Sequence, residues 1–304
     1  MSNIFVSIVN FNGAKNTLDC LKSLDDVVKR NFSLNVVIVD NGSSEKLTLD
    51  EKEYKNFSLE LIKSDRNLGF SGGQNIGIKY SLENGADFVV VLNNDVILDK
   101  DLFIELLKTF EEKNDCGMAC PKIYFAKGFE FHKNRYQEED LGNVIWYAGG
   151  KMDWNNIIGS HRGVDEVDKG QYEKQEETDF ASGCCVMIKR GVFESVGVFD
   201  EKYFLYYEDN DFNQRAKKRG FKIYFQPKGK LWHLNAGSSG SGSTLHDYYI
   251  TRNRLLFGFK YAKLKVKLAL FRESIKILLS GRHWQKIGVK DFYLQNFGKG
   301  SYKV

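Results

Sequence analysis

Apolar runs and helical stripes alternate through the first third of the chain. Ile4–Val9 and Val36–Val39 are short β-rich runs. Each closes on polar turn residues, Asn10-Phe11-Asn12-Gly13 after the first and Asp40-Asn41-Gly42-Ser43 after the second. Between them Leu18, Leu21, Leu24 and Val28 recur at helical spacing. Leu59–Lys63 predicts a third strand, followed by Asn67-Leu-Gly-Phe-Ser-Gly-Gly-Gln-Asn75 and a helical stretch to about Ser81. Phe88–Leu92 is continuously apolar, as expected of a central strand covered on both faces. Asp99 is placed to cap a helix whose Leu102, Phe103, Leu106, Leu107 and Phe110 form one apolar stripe.

This alternation predicts βαβ units and a mostly parallel sheet, which binds ligands outside the carboxyl ends of its strands. Those ends carry Asn10 and Asn12, Asp40 and Asn41, and Asn93, Asn94 and Asp95. Residues 126–178 break the rhythm and suit a β-rich insertion. Phe180–Ile188 reads as a turn and a strand, 236–244 as a flexible Gly/Ser run able to close over a site, and 246–280 as mostly helical.

Composition adds limits. The 304 residues are 42% hydrophobic and 14% aromatic, enough for a real core. No run reaches about 18 apolar residues, so a spanning helix is not expected. The first residues lack a cationic segment before the apolar run and read as a strand rather than a secretory signal. Cys20, Cys116, Cys120, Cys184 and Cys185 make no CxxC pair, which favours reduced thiols in the cytoplasm over a zinc site. The net charge of +4 hides an asymmetry. Residues 1–250 carry 31 Lys/Arg against 38 Asp/Glu, whereas 251–304 carry 13 against 2. An acidic body thus bears a basic tail, and the tail suits an anionic surface. Nucleic acid is not expected as a partner.

Three polar clusters could carry chemistry. Asn93-Asn94-Asp95 suits a hard cation held against a diphosphate, or is a simple strand-to-turn signal. Glu208-Asp209-Asn210-Asp211 follows the aromatic run Tyr203–Tyr207. A carboxylate against that wall is tuned toward a base, while acids at a helix N-terminus have a purely structural reading. His233 sits at a strand end before the Gly/Ser run, as a ligand or an ordinary histidine. A nicotinamide site is disfavoured, because the first strand-to-helix turn lacks GxGxxG. Without that fingerprint, the simplest way for Asp40 to serve a nucleotide is with a metal on the diphosphate.

In order, Asn10-Phe-Asn12, Val39-Asp-Asn-Gly-Ser43, Asn67–Asn75, Leu92-Asn-Asn-Asp95, Ser182-Gly183, Val196–Glu201, Tyr206–Phe212, Trp232-His233 and Arg252-Asn253 resemble a family 2 glycosyltransferase, of the rhamnosyltransferase-like bacterial subgroup. The resemblance covers about residues 4–255. It implies a GT-A, Rossmann-like α/β fold and inverting transfer of a sugar from a nucleotide donor. The donor of first choice is dTDP-rhamnose, with a UDP-hexose or UDP-N-acetylhexosamine as alternative. A non-catalytic nucleotide- or saccharide-binding module is the rival from another class. Residues 1–250 would be the catalytic domain, with a nucleotide half at 1–115 and an acceptor half at 116–250, and 251–304 a helical extension. Asp40, Asn41 and Asn10, Phe11 and Asn12 would line the base pocket. Asn67, Gly69, Gly72, Gly73 and Asn75 would pass beside ribose, diphosphate or sugar. Asn93, Asn94 and Asp95 replace the family's DxD motif, with Asp95 and His233 holding Mg²⁺ or Mn²⁺. Asp209 would be the base and Glu208 its neighbour. The acceptor would be a saccharide, free or lipid-linked. The basic tail would meet an anionic membrane on its cytoplasmic face, pack on the catalytic domain, or form a homodimer contact.

Overall fold

The computed structural model describes residues 1–45, 47–50, 53–234 and 242–303. Its first strands are β1 (Ser2–Asn10), β2 (Phe32–Asn41), β3 (Ser58–Ser64) and β4 (Phe88–Leu92), paired in the parallel order β3-β2-β1-β4. The helices α1 (Ala14–Asp25) and α2 (Gly69–Glu83) make the crossovers. Register matters here. Asn10 lies opposite Asp40, and Ile8 opposite Leu92, so the polar turns after β1, β2 and β4 open at one edge of the sheet. The core beneath is aliphatic, with Ile4, Val6, Ile8, Val36–Val39 and Val89–Leu92 all buried.

Beyond β4 the sheet becomes mixed. A short β5 (Val96–Leu98) precedes α3 (Leu102–Glu112), then β6 (Cys116–Phe125) runs buried along its whole length. Asp101, not Asp99, stands at the N-cap of α3; Asp99 instead accepts the Asp101 backbone N–H in a turn 2.9 Å long. The excursion that follows contributes β7 (Ile145–Tyr147), the hairpin β8 (Gly150–Asp153) and β9 (Ile158–His161), and β10 (Glu176–Glu177). Buried Lys122 of β6 ties it down through Asp168, 2.8 Å away, and Glu173. The chain re-enters as β11 (Cys185–Lys189), antiparallel between β4 and β6. It leaves through α4 (Arg190–Val196) and α5 (Glu208–Lys218), and β12 (Lys222–His233) then pairs parallel with β6. Pro121 pairs with Gln226 at the edge of the register shift between β6 and β12, and Pro227 falls in the unpaired stretch of that shift, where proline is tolerated.

Three helices complete the fold, α6 (Thr244–Tyr261), α7 (Leu264–Ser280) and α8 (His283–Tyr293). The division expected at residue 250 falls inside α6. Of the Gly/Ser run 236–244 expected to close over a site, residues 236–241 lie outside the described residues. All five cysteines are free and buried. Burial pushes the Cys116 and Cys120 thiols up to about 12, so neither is a ready nucleophile.

Candidate active site

The carboxyl edge of β1, β2 and β4 is held by amides that bond to one another. Asn10, fully buried, donates to Asp40 Oδ1 (3.1 Å) and Ser43 Oγ (3.2 Å) and accepts from Thr17 Oγ1 (3.0 Å). Asn12, at φ 52°, folds back so that its carbonyl accepts the Ser44 backbone N–H (2.8 Å). Phe11 stays exposed beside them. Asn94 donates to Thr17 Oγ1 (3.0 Å), which joins the β4 turn to the same network. These contacts tie the turns after β1, β2 and β4 together and leave Asp40 with one oxygen that no described residue binds.

The Asn67–Asn75 segment, expected ahead of a helical stretch to about Ser81, lies partly inside that helix. It is the turn into α2 and the first turns of that helix. Asn41 donates to Asn67 Oδ1 (3.2 Å) and to the Gly69 carbonyl (3.0 Å), shaping the turn. Gly69 has φ 75° and lies against Phe204, where a Cβ would stand 2.4 Å from the Phe204 carbonyl oxygen. Gly72 packs on Leu68, and Gly73 on Val9 and Asn41. Those two glycines let α2 sit close on its own N-terminal turn and on β1 and β2. Asn75 is turned inward, with its amide held by the Phe199 backbone and by Glu201.

Asp95 and His233 meet across the sheet edge. Antiparallel pairing of β5 with β12 places His233 opposite Val96, and His233 Nε2 lies 3.1 Å from Asp95 Oδ1. Both side chains are buried. Burial pushes the Asp95 carboxyl up, but the hydrogen bond and charge of His233, with help from Asn93, outweigh it and hold the group below the usual range. The buried Nδ1 of His233 has no hydrogen-bond partner among the described residues. Trp146 stands edge-on to the imidazole at 4.8 Å. The described residues offer no cluster of three or more metal-ligating groups. Asp95 and His233 therefore supply an oxygen and a nitrogen, and the remaining positions of a hexacoordinate Mg²⁺ or Mn²⁺ suit water and diphosphate oxygens. The pair fits such an ion.

The acidic pair is presented by a strained segment. Phe204, Tyr206 and Tyr207 all have positive φ, between 64° and 71°, and Tyr207 is the N-cap of α5. Asp209 lies in the first turn, where its Oδ2 accepts the Gly183 N–H (3.1 Å) and its Oδ1 the Asn210 N–H (2.7 Å). Burial raises its carboxyl above the usual range, and those hydrogen bonds restrain the rise. Glu208 is raised well above its ordinary value by burial and by the neighbouring Asp209 charge, and its Oε2 has no hydrogen-bond partner among the described residues. Asp209 touches Gly183, and the Cys184 carbonyl accepts the Asn93 N–H (2.9 Å). The acidic pair and the Asp95 turn thus flank one short stretch of backbone.

Other residues in the site escape a pattern-based reading. Asp211, fully buried, is bound by Arg215 (2.8 Å), Lys260 (2.7 Å) and Tyr261 (2.8 Å), so it anchors α5 to α6 and is not a second base. Asn253 donates to the carbonyls of Tyr203, Leu205 and Tyr206, each at 2.8 Å. Arg252, fully buried, donates to those of Lys202 (3.2 Å) and Tyr203 (3.0 Å). Those two side chains hold the strained segment in place. The only sequence signal was the Arg-Asn dipeptide itself.

The polar edge of β1, β2 and β4, the Asp95–His233 pair and the raised Glu208–Asp209 carboxyls gather around the Asn93 and Gly183-Cys184 backbone. The chain belongs to glycosyl transferase family 2, whose model matches residues 5–197. It is 28% identical over 263 residues to the dTDP-rhamnosyl transferase RfbF of Shigella flexneri, covering 84% of this chain and 79% of that one. It is 27% identical over 224 residues to the low-salt glycan biosynthesis hexosyltransferase Agl10 of Haloferax volcanii, covering 73% of this chain but only 64% of Agl10. An N-acetylglucosaminyl-diphospho-decaprenol L-rhamnosyltransferase of Mycobacterium tuberculosis is 26% identical over 223 residues, 70% of each. The fold matches the crystal structure of GalNAc-T7 with UDP, GalNAc and Mn²⁺ at a TM-score of 0.61 and 15% identity, over 96% of this chain and 58% of that one. The α/β architecture is of the GT-A type.

Proposed function

We propose that this chain transfers a sugar, with inversion, from a nucleotide donor to a saccharide or lipid-linked saccharide during surface polysaccharide synthesis. The observation that carries the reading is the placing of Asp95–His233 and Glu208–Asp209 on either side of the Gly183-Cys184 backbone, beside the Asn10/Asp40 edge. The Asn10–Asn12 and Asp40 walls would receive the base. Residues 1–115 then form the donor half and 116–250 the acceptor half, with 251–304 as the extension.

Asp209, with its carboxyl raised by burial, is suited to take the proton of an acceptor hydroxyl as the new bond forms. The Gly183 and Asn210 N–H groups fix its orientation. Glu208 beside it keeps the pair's charge costly, which sharpens its basicity. A divalent ion held by Asp95 and His233 would neutralise charge on the departing diphosphate. The edge-on Trp146 packs on the imidazole ring from the excursion side, and Gly159 of β9 lies so near the acidic pair that a Cβ there would stand 3.3 Å from Asn210 Oδ1, so the excursion borders the acceptor side.

Likeness to RfbF and to the mycobacterial rhamnosyltransferase supports dTDP-rhamnose, and the latter's printed name supports an acceptor on a polyprenyl diphosphate. Likeness to Agl10 favours the second reading, a UDP-hexose donor. Calorimetry with dTDP-rhamnose and UDP-glucose in the presence of Mn²⁺ separates them. Tight binding of neither, with no transfer to any diphosphate-linked acceptor, refutes both.

A further inference from the structure

The extension carries an outward face that the site does not use. Leu264, Leu268, Phe271, Ile275 and Leu279 recur at spacings of three and four along α7, so they form one stripe. Every one is exposed, from 44% at Ile275 to 78% at Leu279. The opposite face of the same helix is fully engaged. Val266, Leu270 and Ser274 are buried, Leu270 packs against Gly258 of α6, and Ser274 shares a hydrogen bond with Tyr293 of α8 (2.7 Å). The stripe is therefore a second apolar face on a helix whose first face already has its partner.

Its charge is one-sided. Lys265, Arg272 and Lys276 are exposed along one flank of the stripe, and no described acid forms an ion pair with them. The single acid of α7, Glu273, is bound by Arg254 through two contacts of 2.7 and 3.0 Å. Arg254 also donates to the Asn156 carbonyl at the tip of β8–β9 (2.8 Å). Glu273 therefore braces the helix on the body and leaves the outer surface purely cationic. An apolar stripe with basic borders is the pattern of a helix lying in a lipid headgroup region. No helix among the described residues is long and apolar enough to cross a membrane.

We propose that the Leu264–Leu279 face of α7 docks the protein on an anionic bilayer surface, with the five apolar side chains inserted and the basic flank against the headgroups. The biological sense of this docking rests on the lipid-linked acceptor proposed above, but lipid binding and sugar transfer are measured separately and fail separately.

The test is flotation of the full chain with vesicles of phosphatidylcholine alone and of phosphatidylcholine containing about 30% phosphatidylglycerol, the basic flank setting the preference. The intact protein is expected to float with the anionic vesicles and to stay behind with the neutral ones. Leu268→Gln/Phe271→Gln/Ile275→Gln should weaken partitioning at least about tenfold, since apolar burial drives insertion. Lys265→Gln/Arg272→Gln/Lys276→Gln should weaken it about a hundredfold at low salt. Unchanged circular dichroism and donor binding in both variants show that folding is intact. Failure of the intact protein to float with either vesicle, or unimpaired flotation of the apolar variant, overturns the proposal. A concentration-dependent dimer that the apolar variant dissociates, with no flotation, assigns the stripe to a second copy instead.

Discussion

Asp209 is the residue on which the proposed chemistry turns. Asp209→Asn should lower kcat by about 10²- to 10⁴-fold, the usual worth of a general base, while the donor dissociation constant measured by calorimetry stays nearly unchanged. Since burial lifts its carboxyl, turnover in the intact protein should fall away as pH drops through a value above the ordinary aspartate range, and that acidic limb should vanish in the variant. Glu208 makes the matching statement about stability. A carboxyl raised in the folded state binds its proton more tightly there than in the unfolded chain, so its cost grows as pH climbs through the unfolded value toward the folded one. Glu208→Gln should therefore raise the melting temperature at pH 8 and lose that advantage in acid. An equal gain at both pH values would refute the assignment.

Single elements show how much could be read in advance. The strands Ile4–Val9, Val36–Val39 and Phe88–Leu92 were legible because covered parallel strands need unbroken apolar runs, and they lie inside β1, β2 and β4. The polar residues at their ends were legible as strand ends, and Asn10, Asp40 and Asn93 do stand at one edge of the sheet. By contrast β6 has Gly117 and Pro121 within it, and both read as breakers until the register shift opposite Pro121 is seen. The glycines of Asn67–Asn75 were expected to pass beside ribose, diphosphate or sugar, and close helix–sheet packing also asks for glycine at several of them. Gly77 shows the stringency of that packing, because a Cβ there would stand 2.1 Å from Ser7 Oγ. Gly77→Ala should cost about 1–3 kcal/mol of stability in denaturant titrations by forcing α2 off β1. The strained Tyr203–Tyr207 segment was illegible, as nothing local dictates positive φ at three aromatic residues; its cause lies some fifty residues onward. Asn253→Ala strips the carbonyls of Tyr203, Leu205 and Tyr206 of a donor, and at about 1–3 kcal/mol per unmet buried group it should lower both stability and kcat. Donor affinity, set at the other side of the edge, should change far less.

At the scale of the molecule, an acidic body and a basic extension have distinct jobs. The body presents Asp40, Asp95, Glu208 and Asp209 around one edge, so a diphosphate approaches it poorly unless a cation comes too. Nucleotide and Mn²⁺ together should then raise the melting temperature by about 5–10 °C at a hundredfold excess over the dissociation constant. Chelator should abolish most of that rise, and His233→Ala should blunt it. An equal rise with nucleotide in chelator would mean that Asp95 and His233 hold no ion. The same architecture has a consequence for how the molecule comes into being. Arg252 and Asn253 supply the side-chain donors to the carbonyls of Lys202, Tyr203, Leu205 and Tyr206, just ahead of Glu208 and Asp209, so the proposed catalytic segment depends on α6 as well as on the sheet. On the ribosome the donor half emerges first and α6 much later. A chain cut at residue 250 would keep every group that performs chemistry and lack the two that aim them. Such a truncated chain is expected to bind nucleotide without turning it over, which nucleotide-binding and transfer assays on it check.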